Sequence, residues 1–341
     1  MLYLEFKIDK ISYNSQMTKA EIISNIHTLV SHNVIGEKQL MSRYKGFRGE
    51  FSFENYIRTK YKKYVLLDGG IIFSIDNSES SLNNSVYLTA TNSQSGLEDY
   101  KNIYKRLSNI GFKKMFFVLY NQENWKDFTV MHYPDKDVNL PIPDFKIFEY
   151  DGVGNTFEAT NNQISIFSDL FFDFPIRKKN SFPITEQSKL FLIEALREYE
   201  LEDIIKMYVN RLFLDGFVGF GKNKGKISDI DLILKRPDGA YRLIEIKEKD
   251  LARKIVGFGL DVPRLDDMNR IRQESGLDYF LVVRHIADQS ERKLIGWKMI
   301  SIKEFDNQVC GQKPTEGGTG MRSLNSVNPT VICEVEAFTI I

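Results

Sequence analysis

KISDIDLILKRPDGAYRLIEIKEKD, residues 226–250, alternates polar and apolar residues on both sides of a turn signal. Residues 228–234 alternate, Arg236-Pro237-Asp238-Gly239 turns, and residues 241–247 alternate back. Proline presets φ, and Asp-Gly tolerates the positive φ of a tight turn, so the segment predicts a β-hairpin. With Arg236 facing Ala240 across a three-residue loop, Asp231 falls opposite Glu245 and Asp229 opposite Lys247. Strand side chains alternate faces, so Glu245 and Lys247 share one face while Ile244 and Ile246 point into a core. Opposed positions bring Cβ atoms to about 4.5–5.5 Å. Two carboxylates that close repel unless a cation lies between them. A hard divalent ion is the natural partner, and Mg²⁺ needs only one or two protein carboxylates beside a substrate phosphate. The neighbouring lysine can orient or deprotonate a water, or steady charge building on phosphate. A plainer reading makes the same charges the solvated face of a surface hairpin.

Asp231, thirteen residues, then Glu245-Ile246-Lys247 resembles the PD-(D/E)xK nuclease superfamily. That superfamily contains most type II restriction endonucleases as well as Holliday-junction resolvases and repair nucleases. The resemblance implies Asp231 and Glu245 as metal ligands, Lys247 as the catalytic lysine, Mg²⁺ as cofactor and double-stranded DNA as substrate. The family's proline before the first aspartate is absent, so either Asp229 or Asp231 fills that slot; the pairing with Glu245 favours Asp231. In that family an acid on the helix before the strands often completes the metal site. Glu202 is the choice here, because it opens the helix leading into Phe217; Glu194 and Glu198 are its rivals. The helix macrodipole alone also favours a carboxylate at such a position.

The 341 residues are 42% hydrophobic and 27% charged, which suits a globular protein of about two domains. Basic and acidic residues balance at 46 each, so any surface for nucleic acid must be local. Cys310 and Cys333 are too few and too far apart for a zinc knuckle and fit a reducing cytoplasm. Four histidines disfavour a His-rich metal site. The first residues, MLYLEFKIDKISYN, are interrupted by charge and do not read as a signal peptide. No run of about 18 apolar residues offers a membrane span.

Along the chain, residues 1–14 read as a strand and 18–32 as a helix with capping-box spacing between Thr18 and Glu21. A basic stretch, 43–49, precedes a helix over 49–64. Strands follow at 64–67 and 71–74, separated by Gly69-Gly70, then at 86–90. A helix at 97–110 and strands at 114–120 and 125–133 complete an N-terminal α/β domain, residues 1–133. Residues 134–184 hold five of the nine prolines and read as an irregular linker region with a basic cluster, Arg177-Lys178-Lys179. Helices at 185–200 and 201–213, a short strand at 217–220, the hairpin, a helix at 261–274 and strands at 279–285, 294–302 and 331–335 form the catalytic domain, 185–341. Helix, three strands, helix, strand is the core order of the family that the hairpin resembles, so the expected fold class is α/β: a restriction-endonuclease-like mixed central sheet flanked by helices, in the C-terminal half. The N-terminal half repeats a similar order, with Tyr87-Leu88-Thr89-Ala90-Thr91 where the second has Glu-Ile-Lys. It reads either as a degenerate copy without a metal site or as an unrelated α/β domain.

Phosphate contacts are expected from Lys222, Lys224 and Lys226 before the hairpin and from Lys249, Arg253 and Lys254 after it. Arg264, Arg270 and Arg272 lie on the following helix, and Arg322 in GGTGMRS, near Asn325 and Asn328, suits base contacts. The glycine-rich runs match neither a Walker motif nor a dinucleotide fingerprint. The sequence therefore reads as a Mg²⁺-dependent type II restriction endonuclease, for which a palindromic target favours a homodimer. A structure-specific repair nuclease and a silent DNA-binding module on the same fold are the alternatives.

Overall fold

The Thr18 hydroxyl accepts the Glu21 amide while the Glu21 carboxylate accepts the Thr18 amide at 2.8 Å, so the expected capping box starts the first helix. The computed structural model describes residues 12–13, 17–32, 34, 36–74, 82–92, 96–132, 137–161, 163–170, 185–218, 227–252, 255–316 and 329–341. Within them the first half holds β1 (Ser12–Tyr13), α1 (Lys19–Ser31), α2 (Glu37–Lys60), β2 (Val65–Ser74), β3 (Ser85–Thr91), α3 (Leu97–Leu107), β4 (Lys114–His132), β5 (Asp137–Asp151) and β6 (Thr156–Ala159). Next come α4 (Ile166–Asp169), α5 (Glu186–Leu196), α6 (Leu201–Arg211), β7 (Ile227–Lys235), β8 (Tyr241–Lys249), β9 (Gly257–Asp261) and α7 (Val262–Ser275). The chain ends with β10 (Asp278–Ile286), β11 (Leu294–Ser301), α8 (Ile302–Val309), β12 (Thr315–Glu316), β13 (Pro329–Glu334) and β14 (Thr339–Ile340).

The hairpin forms in the expected register. Gly239 takes a φ of 84°, Arg236 donates its amide to the Ala240 carbonyl at 2.8 Å, and paired residues run from Lys235–Tyr241 to Leu232–Ile244. Several other expectations are corrected. Gly69-Gly70 does not separate two strands, because β2 is continuous. A Cβ on Gly69 would sit 1.7 Å from the Ile230 carbonyl oxygen, and one on Gly70 would sit 2.4 Å from the Tyr87 ring. These glycines permit close approach inside the sheet. The strand expected at 217–220 is instead a helical turn as far as Phe217: residues 212–217 extend α6, and Val218 donates to the Phe213 carbonyl at 2.8 Å. Phe213 and Phe217 lie 5.7 Å apart in the core, a contact that a strand would break. Residues 125–133 do not form a separate strand but continue β4 to His132. Helix α2 begins at Glu37 and takes in the basic stretch.

Residues 137–159, inside the stretch expected to be irregular, form β5 and β6. Pro141 and Pro143 pair with Asp127 and Trp125 of β4, while β6 covers only Phe148–Asp151 of β5. The prolines thus lie where the other edge of β5 is unpaired and a missing N–H is harmless.

Among the described residues one 11-stranded mixed sheet runs β14-β11-β10-β8-β7-β2-β3-β4-β5-β6, with β1 on β4. Strands from both sides of residues 134–184 meet in it, since β2 pairs with β7 from Val65–Lys235 to Phe73–Ile227. One face packs Tyr100, Ile103 and Tyr104 of α3 with Leu265, Met268 and Ile271 of α7. On the other, Phe53 and Ile57 of α2 cover Leu232, Leu234, Ile244 and Ile246, and α1, α5 and α6 cover Phe73, Leu88 and Phe116. Outward from the antiparallel β2–β7 pair, the two directions match. β3 is antiparallel to β2, β4 parallel to β3 through α3, and β5 antiparallel to β4. β8 is antiparallel to β7, β10 parallel to β8 through α7, and β11 antiparallel to β10.

Gly69→Ala forces a Cβ into the Ile230 carbonyl and is expected to destabilise the fold by on the order of 2–3 kcal/mol. Urea denaturation measures this; an unchanged midpoint would show that β2 and β7 are not this close.

Candidate metal centre

Continuing the hairpin register past Leu232–Ile244 sets Asp231 beside Glu245 and Asp229 beside Lys247. There the Asp231 carboxylate accepts the Ile246 amide at 2.6 Å. Carboxylate oxygens of Asp229, Asp231 and Glu245 all lie within 4.8 Å of one another. Glu245 has no exposed surface, because the strand carrying it lies inside the sheet with helices on both faces. That excludes the solvated-hairpin reading for this residue. Its Oε1 lies 2.6 Å from Lys247 Nζ, and its Oε2 accepts a charged hydrogen bond from Arg264 in the first turn of α7. The Arg264 guanidinium also donates to the Ser228 hydroxyl and the Asp229 carbonyl, tying α7 to β7.

Burial alone would raise the Glu245 pKa, but Arg264 and Lys247 outweigh it and hold the carboxyl below its ordinary value. Asp231 has no such pair of cations. Burial, then Glu245, Asp229 and Glu50, push its carboxyl well above the usual range, with Lys247 opposing. Burial opposes the Lys247 charge, yet Glu245 and Asp231 outweigh it, so the amine titrates above its ordinary value and stays an ammonium near neutral pH. Carboxylates that resist ionisation because no nearby cation compensates them fit a site for added positive charge. The oxygen donor set suits a hard divalent ion, with Asp229, Asp231 and Glu245 as the side chains able to hold it.

A fourth acid, outside the three converging carboxylates, acts on the site electrostatically from an element that local sequence order does not suggest. Glu50 of α2 is pushed up to about 7 by burial, with Asp229 and Glu54 adding and Arg211 and Lys247 opposing. Helix α2 packs over β8: a Cβ on Gly49 would sit 3.7 Å from Glu248 Cβ, and Arg48 lies 3.5 Å from Glu248. Because β2 is the sheet neighbour of β7, the helix before β2 reaches the hairpin. Glu202 lies in the first turn of α6 and is not among the three converging carboxylates. Glu194 pairs instead with Arg197.

Arg264, expected at DNA, is turned inward: its side chain is 15% exposed and bonded to Glu245. Lys249 ends β8, where burial and Lys247 lower its pKa. Arg270 bonds Glu274 and Asn83, and Arg272 lies in the last turn of α7. Lys222, Lys224, Lys226, Arg253, Lys254, Arg322, Asn325 and Asn328 lie outside the described residues, as does the Arg177-Lys178-Lys179 cluster. Cys310 and Cys333 are both free, and among the described residues no helix is long and apolar enough to cross a membrane.

No known protein family matches the chain. No curated protein matches it either. Among solved structures it is similar to a Holliday junction resolvase from the archaeal hyperthermophile Archaeoglobus fulgidus, at 13% identity and a TM-score of 0.19. The match covers 33% of this chain and 68% of that one. At that score the likeness carries no weight, and the functional reading rests on the geometry above.

A carboxyl whose folded pKa is raised binds more protons folded than unfolded, so its contribution to stability falls as pH rises. For Glu50 that fall spans the interval from its ordinary value of 4.5 to about 7. In metal-free buffer E50Q should therefore lose less melting temperature than wild type between the two ends of that interval. Parallel losses in the two proteins would remove Glu50 from the acidic cluster.

Proposed function

We propose that the protein is a Mg²⁺-dependent endodeoxyribonuclease that hydrolyses phosphodiesters of double-stranded DNA, of the type II restriction kind. The observation that carries this reading is Glu245, fully buried and ion-paired to Lys247, with Asp229 and Asp231 converging on it. A fully buried acid with two half-buried ones converging on it is poorly explained as structure alone, since like charges this close repel.

A divalent ion bound by these acids would polarise a phosphoryl oxygen and make water a stronger nucleophile. The remaining work falls to the chain. Asp231, held by the Ile246 amide, and Glu245, held by Arg264 and Lys247, are fixed donors that need little reorganisation. The Lys247 side chain is 39% exposed and its Nζ touches Glu245. With its pKa raised it acts as a charged hydrogen-bond donor to the phosphate rather than as the base. Glu50, near neutrality in its titration and within electrostatic reach of Asp229 and Lys247, is the group suited to take a proton from the attacking water. Recognition of a defined sequence would fall to basic residues outside the described ones, Lys222, Lys224, Lys226, Arg253, Lys254 and Arg322.

Supercoiled plasmid incubated with Mg²⁺ should be cleaved by wild type and protected by EDTA. Lys247→Ala and Asp231→Asn should each cut about 10²–10³-fold more slowly, the scale of losing one preorganised electrostatic partner. Activity equal to wild type in both variants would remove the assignment.

A further inference from the structure

We infer that one chain is its own pseudo-dimer, with a working catalytic position in one half and a filled one in the other, so that it cuts a single strand of duplex DNA per encounter. The inference rests on the nuclease reading, adds to it the number of strands cut, and puts a single chain in place of the expected homodimer.

The sheet has the polarity of a twofold arrangement about the β2–β7 pair, as the strand-by-strand match shows. The helices follow the same relation: α1 packs on α6 as α5 packs on α2, α2 lies over β8 as α6 lies over β3, and α3 packs on α7. Each half therefore covers the other's hairpin with the helix before its own first strand, which is how two interlocked subunits are built. Here the seam between them is a hydrogen-bonded strand pair inside one sheet.

Setting Tyr87 at the place of Leu243 superposes the two hairpins; the left-handed glycine then lies four residues before the next paired strand residue in the first half and three before it in the second. Tyr87 pairs with Ile72 and with Met115, which follows the left-handed Gly111 at φ 76°. Leu243 pairs with Ile233 and with Tyr279, which follows the left-handed Gly276 at φ 65°. Matching Tyr87 to Leu243 and Ile72 to Ile233 sets Thr89 at the place of Glu245, Thr91 at Lys247, Gly70 at Asp231 and Asp68 at Asp229. Every changed position is occupied by packing. The absent side chain of Gly70 makes room for the Tyr87 ring, which a Cβ would meet at 2.4 Å. Tyr87 stacks edge-on to Tyr104 with ring centroids 5.2 Å apart, and its hydroxyl accepts from Thr89 at 3.0 Å. Tyr104 donates to the Phe116 carbonyl at 2.6 Å, and Tyr100 accepts the Asp68 amide at 2.9 Å. Asp68, the acid that persists, lies 2.7 Å from Lys206, which also lies 3.0 Å from Glu54. An ammonium thus stands beside the remaining acids, and buried tyrosines fill the rest. Among the described residues, this half gathers no group of acids like that of Asp229, Asp231 and Glu245.

The test uses the full chain on supercoiled plasmid with Mg²⁺, at enzyme levels giving less than one cut per plasmid on average, with the mass of the protein–DNA complex measured by light scattering. Nearly all supercoiled DNA lost should be recovered as open circle, and each duplex should carry one 39.6 kDa chain. Lys247→Ala should lose the nicking, which ties the nick to the working half. Linear DNA formed directly from supercoiled DNA, or two chains on each cut site, would overturn the pseudo-dimer inference while leaving the nuclease reading intact. Absence of any cutting by wild type would overturn both.

Discussion

A carboxylate with no exposed surface stays ionised only when cations are fixed against it. Glu245 is such a group, and the half that carries it is arranged around meeting that demand. Lys247 comes from the same face of β8, and Arg264 comes from the first turn of α7. Arg264 in turn clasps Ser228 and the Asp229 carbonyl, so the arginine that neutralises Glu245 also fixes the strand bearing the other two acids. Removing one partner from such a set leaves an uncompensated buried charge, which costs about 3–5 kcal/mol. The arrangement leaves Asp231 without an equivalent cation, and its raised pKa marks where further positive charge is favoured.

The other half of the sheet shows what the same scaffold looks like with that demand removed. Thr89, Thr91 and Gly70 carry no charge, so the space closes around Tyr87, Tyr100 and Tyr104 as ordinary core. Asp68 and Glu54 find their cation in Lys206 instead of in a ligand. Ion pairs bind α2 to α6 and the turn that extends it, the buried Arg43 to Asp215 at 2.6 Å and the half-exposed Arg58 to Asp203 at 3.1 Å. The two helices are thereby locked over each other's hairpins, and the element that precedes β2 brings Glu50 within electrostatic reach of Asp229 and Lys247.

The hairpin and its register were legible in residues 226–250 because a Pro-Asp-Gly turn and strict alternation leave little freedom of pairing. Many flanking helices and strands were legible for the same local reason, but the strand read at 217–220 is a helical turn as far as Phe217, and β9 carries no alternation strong enough to have been read. Glu50 was not, since its place depends on β2 pairing with β7 across more of the chain than any local signal spans. Gly69 and Gly70 read as a break because glycine marks turns more often than close strand contacts, and only the Ile230 carbonyl and Tyr87 ring reveal which applies. The prolines of β5 misled in a similar way: edge exposure, which makes them tolerable, is a property of the assembled sheet. Arg264 is basic and sits on a helix after the hairpin, which suits DNA; its burial against Glu245 is a fact of packing.

The central claim is that the acids of β7 and β8 form one site for a divalent cation. Anomalous diffraction from crystals of the protein soaked in Mn²⁺ tests it most directly. The account predicts a peak within about 2.0–2.3 Å of oxygens from both Asp231 and Glu245, the range of hard-cation coordination. A protein that takes up Mn²⁺ elsewhere, or not at all, with Arg264 and Lys247 unmoved on Glu245, would contradict it.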